Sequence, residues 1–114
     1  MSIHLTFSQL CILNDFKYIF PIEPDDLIER FAYAHQEMKL SHQMILQQPE
    51  ILTSREFRLR ERHEFLKMLG RDQYDPEKDM YISPKALVEG NNYYFVRKIA
   101  KSDMETFELF LKTR

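Results

Sequence analysis

Residues 51–76 read ILTSREFRLRERHEFLKMLGRDQYDP, and the spacing of their apolar side chains decides the fold class. Leu59, His63, Leu66 and Leu69 recur at three- to four-residue steps, the period of one helix face, rather than at the two-residue step of a half-buried strand. Thr53 and Glu56 stand in the capping-box relation, in which each side chain satisfies the other's orphan backbone amide, so a helix is predicted from Thr53 to Leu69. Gly70 closes it, because glycine takes the left-handed cap without a Cβ penalty.

The same period extends in both directions. Asp25 or Asp26 caps a predicted helix whose apolar face is Leu27, Ile28, Phe31, Ala34, His35 and Met38. Ser41 opens a short helix, SHQMILQ, that must end near Pro49, and the turn PEIL follows. Beyond a loop, RDQYDPEKDMYI, Ser83 as cap and Pro84 as first helical residue open a helix stopped by Gly90. Asn91 or Asn92 begins another, reaching about Ala100. Ser102 and Glu105 form a second capping box before the stripe Met104, Phe107, Phe110 and Leu111. At the start of the chain, Ile3, Leu5 and Phe7 alternate like a strand, whereas Ile12, Phe16, Ile19 and Phe20 keep helical spacing; a helix over 7–20 is the favoured reading. With two glycines and no tryptophan in 114 residues, the chain reads as one all-α domain with short connections. Superposing Pro21 on Pro49 places Phe31, His35 and Met38 over Leu59, His63 and Leu66, which predicts a helical repeat of 28 residues.

Composition narrows the function. A single cysteine, Cys11, excludes an internal disulfide and a cysteine-rich metal site. The apolar opening segment has no basic n-region, and Asp15 and Lys17 interrupt it short of a membrane span, so no membrane role is expected. The formal net charge is −2, but residues 54–71 hold six basic and three acidic residues, so the positive charge is local. HEFLK carries Lys67 where a zinc signature needs histidine. The loop with Asp75, Glu77 and Asp79 lacks the central glycine and final glutamate of a calcium loop. No glycine-rich phosphate loop, nucleophile elbow or Cys/His dyad is present. Neither an enzyme nor a cofactor- or metal-dependent protein is expected.

The run FAYAHQEMKLSHQMILQQPEILTSREFRLRERHEFLKMLGRDQYDPEKDMYIS, followed by IAKSDMETFELFLKTR, closely resembles the C-terminal end of the mitochondrial transcription termination factor (mTERF) family, especially its third animal subfamily. ERHEFLKMLGRDQYDP is the most specific part. The resemblance covers residues 25–114 and leaves 1–24 as a separate N-terminal segment, expected to be helical. It implies a short solenoid of mTERF-type helical repeats with a C-terminal helical cap, and a chain that is a fragment of a longer protein. It also implies localisation in the mitochondrial matrix and a nucleic-acid-binding role in regulating or terminating transcription, or in ribosome biogenesis.

Within the basic stretch, Arg55, Arg58 and Arg62 fall within about one quadrant of a 3.6-residue helix, while Arg60 and Lys67 lie on another side near Glu56 and Glu64. Arg55, Arg58 and Arg62 are therefore the candidate phosphate contacts to mitochondrial DNA or RNA. Three or four phosphate contacts give a salt slope of about −3 to −4 on duplex DNA, which is weak binding for this chain alone. For Arg62 a structural role is open beside it, bonding the carbonyls that end a neighbouring helix. His35 and His63 are expected in the core or bonded to a partner, and Tyr93, Tyr94 and Phe95 to pack a core rather than stack bases. The alternative function is a capping or protein-interaction module that offers its last helices, with Phe95, Phe107 and Phe110, to a protein partner.

Overall fold

A computed structural model of the protein describes residues 24–114; the expected helix over 7–20 lies outside them. Every regular element among the described residues is helical, as the apolar period requires. The chain divides into two compact units, whose described parts are 24–56 and 57–114.

In the first unit, helix α1 (Pro24–Ala32) runs directly into a widened, π-type turn, Tyr33–Glu37. Its inner face is the expected one, with Phe31 and Ala34 fully buried and Leu27 and Met38 nearly so. Helix α2 (His42–Gln47) begins where the Ser41 hydroxyl accepts the Met44 amide at 3.1 Å. The segment Pro49–Leu52 forms a single 3₁₀ turn that buries Ile51 and Leu52. Thr53 belongs to that turn, since its hydroxyl donates to the Glu50 carbonyl at 2.6 Å. The next helix starts later than the predicted Thr53, at Glu56.

In the second unit, helix α3 (Glu56–Met68) leads into the long loop, then α4 (Pro84–Leu87), α5 (Asn92–Tyr94) with its widened end Phe95–Ile99, and α6 (Met104–Thr113). Ser83 and Asn91 cap α4 and α5 as read from sequence. The last cap is Asp103, not Ser102. Its carboxylate accepts the Thr106 amide at 2.8 Å, and this bond holds its pKa below the usual carboxylate value. Asp and Ser are equivalent caps by propensity, and the Ser102 amide is already bonded to the Val96 carbonyl in the preceding turn. The core gathers Phe65, Phe95, Phe107 and Phe110; the Phe65 and Phe107 rings meet edge to face at 4.9 Å, the arrangement favoured by the aromatic quadrupole.

The period of the fold is set by helix ends. Left-handed residues stand at Lys39 (φ 59°), Gly70 (φ 71°) and Lys101 (φ 53°), each 31 positions from the next. At all three the following amide reaches back into the helix: Leu40 to Ala34, Arg71 to Leu66 and Ser102 to Val96. At the same step Ala34, Phe65 and Val96 are fully buried. The predicted step of 28 residues is corrected to 31. Twenty-eight residues is about eight helical turns, so apolar faces also superpose at that shift, and only the turn geometry separates the two registers.

Candidate nucleic-acid interface

The three candidate arginines have different environments. Arg55, just before α3, and Arg58, in its first turns, are exposed and have no partner among the described residues. Arg62 is fully buried. Its Nη1 donates to the carbonyls of Leu87 (3.0 Å) and Glu89 (3.1 Å), and its Nη2 to the carbonyl of Gly90 (2.9 Å) and Oδ1 of Asn92 (3.3 Å). The guanidinium also sits 4.9 Å from the centre of the Phe95 ring. The expectation that Arg62 touches phosphate is thus corrected in favour of its structural alternative. Its planar fork bonds the carbonyls left without amides at the end of α4, a task that the five fixed donors of arginine suit. Burial, with a smaller contribution from Arg58, lowers its pKa to about 10, partly offset by Glu61. It remains charged at neutral pH, so these bonds are charge-assisted.

The first unit repeats the device. Arg30 Nη1 donates to the Leu52 carbonyl at 2.8 Å, closing PEIL as Arg62 closes PKAL. The two proline-led segments PEIL and PKAL therefore each end on an arginine from the long helix before them.

Lys67 departs from the local pairing expected along the helix. Glu64 is bonded by Arg114, which also lies 3.8 Å from Glu61. Lys67 is exposed with no partner among the described residues. His63 is buried and its Nδ1 lies 2.7 Å from the Tyr74 hydroxyl; His35 is half-buried, with Nδ1 2.8 Å from the Leu40 carbonyl. Of the late aromatics Phe95 is buried, whereas Tyr93 and Tyr94 are exposed, with the Arg97 guanidinium 5.7 Å from the Tyr93 ring centre. Core packing therefore applies to Phe95 only.

A second basic group was not visible in the sequence. Arg71, Lys98 and Lys101 line one cavity in the second unit, although 27 positions separate the first two. The signal was hidden because RKIAK at 97–101 sits among acidic residues in a segment of net charge −1.

No protein-family model matches the chain. Over 93 residues, 82% of its length, it is 74% identical to Transcription termination factor 3, mitochondrial, of Drosophila melanogaster. The chain belongs to the mTERF family. The mouse and rat proteins of the same name are 42% and 41% identical over 87 residues. The chain spans about a quarter of the fly relative and about a fifth of the rodent ones. In this mTERF chain, the stretch that carries the resemblance, ERHEFLKMLGRDQYDP, contains the buried Arg62, His63 and Tyr74.

Proposed function

We propose that this chain is part of a nucleic-acid-binding regulator of mitochondrial gene expression, acting in the matrix on transcription, its termination, or ribosome biogenesis. The reading is supported by 74% identity to a protein named as a mitochondrial transcription termination factor. Arg55 and Arg58, exposed and without partners among the described residues, serve as phosphate contacts, which position the chain on DNA or RNA without reading sequence. Arg62 supports them only by holding the fold. Two contacts give a salt slope of about −2 on duplex DNA. Titration of the full chain against duplex DNA and single-stranded RNA at two salt concentrations tests this. Arg55→Ala with Arg58→Ala should flatten the slope by about 2 on duplex and weaken all sequences alike. Undetectable binding at low salt, or a variant that binds like the native chain, would sink the reading.

The competing reading is a capping or protein-interaction module. It is favoured by Leu109, 62% exposed on α6. Phe95 and Phe107 are buried and take no part in it, and Phe110 is half-buried against Phe65. Retention of a mitochondrial protein by the native chain but not by Leu109→Asp, with no nucleic acid bound, would select this reading.

A further inference from the structure

A cavity of about 310 Å³ opens in the second unit, lined by residues of the long loop, α4 and the widened end of α5. Three of its lining residues are cationic, Arg71, Lys98 and Lys101, and none is a carboxylate. Arg71 is fixed by one donor, Nη1, on the Ala100 carbonyl at 2.9 Å, and has no further partner among the described residues. Lys98 and Lys101 are exposed and have no partner there. Gathering like charges around one space without a counter-charge is unfavourable, and a bound anion relieves it.

The rest of the lining is not what a simple inorganic anion needs. Tyr81, Ile82 and Ile99 add aromatic and aliphatic residues to the lining. Cations beside aromatic and aliphatic residues match a phosphate joined to a base. The volume stands at the lower edge of small-molecule sites, which span about 300–1,000 Å³, and so admits one nucleotide rather than a stack.

We propose that the cavity of Arg71, Lys98 and Lys101 binds a single nucleoside 5′-phosphate, either free or as the phosphorylated end of a strand. Arg71 and the two lysines hold the phosphate, and Tyr81, Ile82 and Ile99 cover the base. The site uses neither Arg55 nor Arg58, and it rests on the proposed function only for its strand-borne source.

Calorimetric titration of the full chain at low salt with adenosine 5′-monophosphate, adenosine and inorganic phosphate tests it. The monophosphate should saturate one site, with adenosine and inorganic phosphate each at least about ten-fold weaker. Lys98→Gln with Lys101→Asn should weaken the monophosphate about ten-fold while leaving the melting temperature unchanged, because asparagine tolerates the left-handed conformation at position 101. Arg55→Ala with Arg58→Ala should leave monophosphate binding intact, which separates this site from the duplex contacts. A 5′-phosphorylated oligoadenylate that binds more tightly than its unphosphorylated twin identifies the strand end as source; equal binding of the two identifies the free nucleotide. Absence of saturable monophosphate binding, equal binding of adenosine or phosphate, or an unaffected lysine variant overturns the proposal.

Discussion

Replacing Arg62 by alanine removes a buried cation together with the donors that close the α4–α5 turn. Three carbonyls, those of Leu87, Glu89 and Gly90, lose their bonds. A buried acceptor left unpaired costs about 1–3 kcal/mol. The turn relaxes and admits water, because Glu89 and Gly90 are exposed, and the desolvation that lowered the arginine pKa to about 10 is relieved. These offsets bring the expected loss to about 4 kcal/mol. A domain holds only about 5–15 kcal/mol in total, so the second unit should be near its folding threshold. Urea unfolding followed by far-ultraviolet circular dichroism should show a midpoint lower by about 2 M, at a slope of about 2 kcal/mol per M. Amide exchange should accelerate first between residues 83 and 100. Arg62→Lys, which keeps the charge but loses the fork, should cost about half as much, and Arg58→Ala less than about 0.5 kcal/mol. An Arg62→Ala chain of native stability that nevertheless loses nucleic acid would refute the structural role and restore Arg62 as a contact.

Phe65→Ala removes the ring shared by Phe95, Phe107 and Phe110 and should cost about 3–5 kcal/mol; a loss under about 1 kcal/mol in chemical denaturation would show that the cluster does not hold the unit together. Gly70→Ala should cost about 1 kcal/mol through φ alone, since open space surrounds a Cβ there, whereas Lys101→Gly should gain somewhat less than that; melting curves that reverse these signs would contradict the left-handed turns. The Glu29 carboxyl is raised in pKa by its hydrogen bond to the Glu56 side chain and by repulsion from it, then by slight burial and by Asp26 and Asp25. A raised folded-state pKa gives stability below the unfolded value that is lost as pH rises through the raised one. Glu29→Gln should therefore melt above the native chain at neutral pH and equal it once both carboxyls are protonated; curves that coincide at every pH would remove the pair from the account.

Four caps, Ser41, Ser83, Asn91 and the glycine at 70, were legible because each depends on residues within four positions. The apolar face of α1 was legible for the same reason. The capping box at Ser102 misled because Asp103, one position later, takes the cap while the Ser102 amide is held by the Val96 carbonyl. The repeat length misled because apolar faces superpose at any whole number of helical turns.

What the sequence determined by itself is the local layer: all-helical class, the starts of α2, α4 and α5, and the family, all of it encoded in spacings shorter than about two turns. What only the tertiary structure decided is which of three similar arginines is inside. Periodicity placed Arg55, Arg58 and Arg62 on one side of a helix, but Arg62 is claimed by carbonyls 25–28 residues further along. The same holds for Arg71 with Lys98 and Lys101. Long side chains reach across the fold, and where their charge is satisfied depends on distances that a linear pattern does not carry.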